Sequence, residues 1–167
     1  TGTAGVGKTA LAIRFGHQVA KRFPDGQLYV NLRGPKPHQP MDPGVALRWF
    51  LDAFGVPPHR IAAPTEERAA LFRSLVDGKR VLIVLDNASN AAQVRPLLPG
   101  SPGCLVVVTS RNQMAGLVAA EGAALITLDV LGDDEAHEML ARRLGQERVA
   151  AEPQAADEIV AACARLP

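Results

Sequence analysis

Along the chain, two near-continuous apolar runs stand out, "VLIVLD" (81–86) and "CLVVVTS" (104–110). A strand covered on both faces has no polar side to present, so these read as central strands of a parallel sheet. "QLYVNL" (27–32) alternates instead, with Leu28, Val30 and Leu32 on one side, which suits a strand near the sheet edge. "AALITLDV" (123–130) reads as a fourth strand. Helical spacing fills the intervals. Ala12, Phe15, Val19 and Phe23 mark one face of a helix ending near Pro24. Asp42 can cap a helix with Pro43 at its first position, carrying Leu47, Phe50, Leu51 and Phe54 and closed by Gly55. Thr65 caps another, through Leu71, Phe72 and Leu75 to Asp77 and Gly78, and a shorter helix near 91–98 links the two central strands. The prolines of "RGPKPHQPMDPG" (33–44) exclude a ladder and predict a loop.

Beyond the fourth run the pattern turns purely helical. Asp133 caps a helix with Ala136, Met139, Leu140 and Leu144, stopped by Gly145. Pro153 opens a last one with Ala156, Ile159, Val160 and Cys163. Alternating strands and helices predict an α/β domain with a parallel sheet over 1–131. A small helical subdomain then occupies 132–167, its boundary lying within 132–152.

The chemistry begins at once. "GTAGVGKTA" (2–10) carries Gly-x4-Gly-Lys-Thr, in which glycines let backbone N–H groups converge on phosphate oxygens. Lys8 adds a charge at the β and γ phosphates, the Thr9 hydroxyl can ligate Mg2+, and the following helix turns its N-terminus to the same anion. Gly2, Thr3, Ala4, Gly5, Val6, Gly7, Lys8, Thr9 and Ala10 are the candidate nucleotide contacts. Such a loop normally follows a buried strand, and only Thr1 precedes it, so that strand is expected upstream of Thr1.

Asp86 ends a buried strand, where ligands gather in open α/β sheets, and can hold Mg2+ through its water shell. An aspartate at a strand end also serves as a turn residue or cap; its pairing with the loop favours the metal role. The next residue is Asn87, an amide that can orient water but cannot take its proton, which predicts slow hydrolysis or a base from elsewhere. Thr109, Ser110 and Arg111 leave the next strand on the same rim, and Arg111 can reach a γ-phosphate and report it. No Asn-Lys-x-Asp follows a strand, so adenine is favoured over guanine by elimination.

Composition narrows the classes. A formal charge of +1 and 47% hydrophobic residues fit a soluble globular protein, and no basic cluster exceeds Lys21-Arg22 or Arg142-Arg143, which excludes an obvious DNA-binding face. Cys104 and Cys163 read as reduced, packed thiols of a cytoplasmic protein. No run reaches membrane-spanning length. His17, His38, His59 and His137 lack ligand spacing, and Trp49 and the phenylalanines at helical spacing read as core.

Together "GTAGVGKTALA", "VLIVLDNA", "VRPLLPGSPGCLVVVTSRNQM" and the terminal "CARLP" resemble the NB-ARC ATPase of the STAND class. The variant is similar to that of SARP-type actinobacterial transcriptional regulators, and the likeness spans essentially the whole chain. The resemblance implies a P-loop NTPase fold, three-layer α/β/α, with five strands in the order 5-1-4-3-2, the first falling before Thr1, and then a helical ARC subdomain. It implies that Gly5, Gly7, Lys8, Thr9 and Ala10 cradle phosphates, that Asp86 serves Mg2+, and that Arg111 is a sensor. Relatives carry a Gly-Leu-Pro motif whose proline packs near adenine; Arg165-Leu166-Pro167 aligns with it, arginine replacing glycine. A winged-helix subdomain, with a histidine that some relatives place on the ADP β-phosphate, would lie outside this chain, as would a DNA-binding domain before it and helical repeats after it. The implied function is an ATP/ADP-binding switch with slow Mg2+-dependent hydrolysis, self-associating through this module. The candidate catalytic set is Lys8, Asp86, Asn87 and Arg111, and Arg111 and Pro167 join the nucleotide contacts. Two other classes remain open: a P-loop phosphotransferase, which would need an arginine-rich lid where 112–122 reads "NQMAGLVAAEG", and an interaction scaffold that no longer binds nucleotide.

Overall fold

The computed structural model of the chain describes residues 1–34 and 39–167. Part of the proline-rich run, His38 included, lies outside the described residues. The chain divides into two compact units, one of Thr1 with Thr9–Ile126 and one of Gly2–Lys8 with Thr127–Pro167.

The first unit is built on a parallel three-stranded sheet, β1 (Gly26–Asn31), β2 (Val81–Ala88) and β3 (Leu105–Ser110), in the order β1-β2-β3. These are three of the runs that the apolar pattern marks, and their order agrees with the last three positions of the expected arrangement. The register pairs Tyr29 with Val84, Asn31 with Asp86 and Leu85 with Val108. Because side chains alternate across a strand, Val30, Val81, Ile83 and Leu85 share one face. They form the main core with Ala46, Leu47, Phe50 and Leu51 of α2 (Pro43–Ala53) and Phe72 and Val76 of α3 (Thr65–Val76). Burying each of the larger side chains contributes roughly 1.5–3 kcal/mol. Phe50 and Phe72 meet with ring centroids 5.4 Å apart. On the other face Leu82 and Val84 pack with Phe23 and with Ala12 of α1 (Lys8–Val19).

Asp42 caps α2 as expected, its carboxylate accepting the Gly44 N–H at 2.7 Å. Thr65 does not cap α3: the capping position is Pro64, and Thr65 is the first helical residue. Asn90 caps the short α4 (Ala91–Val94), which runs into a 3-10 turn at Arg95–Leu97, together the expected link between β2 and β3; of these two only β2 is central, β3 standing at the edge of the described sheet. α5 (Ala115–Glu121) occupies a stretch to which the periodicity assigns no element.

Two further expectations fail in this unit or at its edge. Residues 123–130 form no strand, and Leu125 and Ile126 are 47% and 69% exposed. An alternating apolar run gives only a preference; a strand needs a neighbour to take its N–H and C=O groups, and no strand pairs with this run among the described residues. Trp49 is 48% exposed and Phe15 37%, so neither is core. The stripe of α2 that faces the sheet is Ala46, Leu47, Phe50 and Leu51, and position 49 falls on the opposite side of a 3.6-residue turn.

The second unit joins the Gly2–Lys8 loop to α6 (Asp133–Leu144), α7 (Gln146–Ala151) and α8 (Pro153–Ala162). Asp133 is the first helical residue of α6 and not its cap; Gly132 precedes it, and its N–H donates to the Glu135 carboxylate at 2.8 Å. His137 ties α6 to α8: Nδ1 lies 2.8 Å from the Asp133 carbonyl and Nε2 2.7 Å from Asp157 Oδ1. Cys163 is exposed and Cys104 half-buried, so the first is not the packed thiol expected. It follows the last turn of α8, beyond the buried positions Ala156 and Val160.

Candidate functional site

Along one face of β2 the side chains run Leu82, Val84, Asp86, apolar until the carboxyl end and then charged. Asp86 is only 2% exposed. A buried carboxylate needs donors, and three hydroxyls supply them. Thr9, in the first turn of α1, donates to Oδ1 at 2.8 Å; Thr109, from β3, donates to Oδ1 at 2.6 Å; Tyr29, from β1, donates to Oδ2 at 3.2 Å. Partial burial, and then the Asp86 carboxylate, raise the Tyr29 phenol above its ordinary value of 10.0.

Thr109 also fixes the irregular end of β2 just after Asp86. Asn87 takes φ +55°, a left-handed conformation that asparagine tolerates better than most residues. Its N–H donates to Thr109 Oγ1 at 2.8 Å and its carbonyl accepts the Gly34 N–H at 2.7 Å. Here the β2–β3 register shifts. Its amide oxygen lies against Gly34, where a Cβ would sit 2.4 Å away, so only glycine fits beside it. Ser110 donates to the Ala88 carbonyl at 2.8 Å, and Arg111 stands exposed beyond it. Buried Gln93 holds the neighbouring loops, its amide nitrogen donating to the carbonyls of Leu32 and Met41 and its oxygen accepting from Ser89.

In the second unit the glycine loop is bent at Gly5 and Gly7, with φ +83° and +86°, values that a Cβ penalises by about 1–2 kcal/mol each. A Cβ on Gly5 would stand 3.1 Å from Leu166 Cδ1, and one on Gly7 3.4 Å from Pro167 Cγ. Pro167 therefore lies at the loop itself. Val6 is buried, while Thr3 and Ala4 are exposed, as is Ala10 in α1. The Lys8 ammonium donates to the Gly2 carbonyl at 2.8 Å and also to that of Thr3.

Among the described residues no three histidine, cysteine or acidic side chains gather as a metal site. The oxygen set of Thr9 and Asp86 instead suits Mg2+, a hard cation that keeps most of its waters and takes one or two protein oxygens. The bends at Gly5 and Gly7 are of the kind that turns backbone N–H groups toward an anion. Tyr29 is a contact that reading the chain misses, since its alternation marks only an edge strand. Its parity with Asp86 emerges once the β1–β2 register is known.

No family model matches the chain. It is 51% identical over 166 residues to the "Regulatory protein AfsR" of Streptomyces griseus and 50% identical over 166 residues to that of Streptomyces coelicolor. In each case 99% of this chain is covered, but only 17% and 16% of the relative. The chain thus spans about a sixth of the length of the curated relatives it matches, and over that span it is similar to a segment of regulatory proteins of the AfsR type.

Proposed function

We propose that this chain is an ATP/ADP-binding switch module of a larger transcriptional regulator, in which bound nucleotide sets conformation and self-association. The observation that carries the reading is the 2.8 Å hydrogen bond from Thr9 to Asp86, two residues 77 positions apart. The residue after the lysine of the phosphate-binding motif touches the acidic end of a central strand, which is what a Mg2+-nucleotide site asks of both. In this reading the fold is a P-loop NTPase, and 132–167 begins an ARC subdomain.

Residues 2–10 would hold the phosphates, with Lys8 on the β and γ groups; Thr9 and Asp86 would hold Mg2+; Arg111 would meet the γ-phosphate; Pro167 would approach the base. Bound there, magnesium would offset phosphate charge. Asn87 cannot accept a proton, so this chain's own residues orient water without activating it, and hydrolysis is slow. A nucleotide shifts such a module only by binding its states with different affinity. The γ-phosphate is the group that differs between ATP and ADP, and Arg111, exposed just after β3, would read it. Similarity to AfsR regulatory proteins over nearly the whole chain supports the regulatory role, with DNA contacted by a domain outside this chain.

Incubation with γ-labelled ATP and a panel of acceptors tests the reading. A switch yields only ADP and phosphate, far below the roughly 10 per second of a median enzyme; turnover at that rate, or a labelled acceptor, would overturn it.

A further inference from the structure

Asp86 is held by more donors than the pairing with Thr9 requires. An ionised carboxylate offers about four acceptor directions. Thr9 and Thr109 take both on Oδ1, and Tyr29 takes one on Oδ2. One direction remains, on Oδ2. The terminal torsion of aspartate is soft, so a carboxylate anchored through one oxygen would still swing. Donors on both oxygens, from the strands on either side of β2, fix its plane.

Thr109 is 6% exposed and its hydroxyl also accepts the Asn87 N–H, so it has a structural duty besides. Tyr29 has none of that kind. Its ring borders a groove lined by Ile13, Gly16, His17, Leu82 and Val84, and a phenylalanine would line that groove as well. Only the hydroxyl oxygen needs Asp86.

We propose that Tyr29, with Thr109 across the carboxylate, is a positioning residue that fixes the plane of Asp86 and leaves it one acceptor direction for a water of the magnesium shell. This rests on the nucleotide reading above. Tyr29 then acts through Asp86 and touches neither phosphate nor metal, so its removal changes what magnesium adds to nucleotide affinity and leaves metal-free binding alone.

The test is calorimetric titration of ADP into the full chain with Mg2+ and with EDTA, the ratio of the two constants giving the magnesium increment. Tyr29→Phe should shrink that increment about three- to tenfold, the worth of one hydrogen bond, with the EDTA constant unchanged. Thr109→Val should shrink it likewise and Thr109→Ser restore it. If Thr109→Val does not fold, Tyr29→Phe decides alone. An increment untouched in Tyr29→Phe, or equal weakening with and without Mg2+, overturns the inference and leaves the nucleotide reading standing. A wild-type chain that binds no ADP, or binds it equally in EDTA, overturns that reading and this inference with it.

Discussion

Replacing Gln93 by leucine removes a buried amide that holds two loops at the site end of the sheet. Its Nε2 donates to the carbonyls of Leu32 and Met41 at 2.9 and 2.8 Å, and its Oε1 accepts the Ser89 N–H at 2.9 Å. Leucine fills the volume but answers none of these groups. The Leu32 carbonyl keeps the Met41 N–H at 2.9 Å, so the Met41 carbonyl and the Ser89 N–H lose the partner that Gln93 supplies, as does the half-buried Ser89 hydroxyl, which is free to rotate toward another acceptor. An orphaned buried group costs about 1–3 kcal/mol, and the apolar side chain recovers part of that in a site that is 6% exposed. The expected net loss is about 2–4 kcal/mol, read from urea unfolding followed by circular dichroism, with the m-value unchanged. A loss below about 1 kcal/mol would show that water or a relaxed backbone satisfies these groups, and that Gln93 does not organise the loops.

Two further outcomes follow. Under the proposed function Asn87→Glu supplies a carboxylate where the amide would only orient water, and should speed phosphate release, at a stability cost of about 1–2 kcal/mol because Asn87 sits at φ +55°; an unchanged or slower rate means that a base is not what limits hydrolysis. The His137 imidazole, bonded to the Asp133 carbonyl and then to Asp157, titrates above its ordinary 6.5. A folded-state value above the unfolded one favours folding below about pH 6.5, and that contribution fades as pH rises through the folded-state value. NMR titration should place the midpoint above 6.5 and bring it down in Asp157→Asn; a midpoint at or below 6.5 in the wild type would refute the tie between α6 and α8.

Much of this fold is legible in the chain because β2, the middle strand of the described sheet, is buried on both faces. "VLIVLD" carries that burial as an unbroken apolar run, and the Asp42-Pro43 start of α2 is set by local chemistry alone; "CLVVVTS" reads as a second central strand, yet β3 stands at the edge of the described sheet with Leu105–Val108 only half-buried. What fails depends on partners far away in sequence. Residues 123–130 have strand composition but no strand to pair with, and Trp49 has helical spacing but sits on the outward side of α2. At the candidate site, Lys8, Thr9 and Asp86 announce themselves by motif and position. Thr109 shows in the chain only as a residue of the same rim, and Tyr29 not at all, because a hydroxyl near a carboxylate is a matter of register across three strands. Asn31 opposite Asp86, and Leu85 opposite Val108, set the parity that turns both toward it.

The central claim, that residues 2–10 with Asp86 bind an adenine nucleotide through Mg2+, is tested most directly by titrating ADP with Mg2+ into the wild-type chain and into Lys8→Ala. Lys8 lies half-exposed on the loop and its loss should leave the fold intact while removing a charge-assisted contact to phosphate. Such a contact is worth about 1.5–3 kcal/mol, so affinity should fall roughly ten- to a hundredfold. Equal affinity in the two proteins, or no binding by the wild type, would contradict the account.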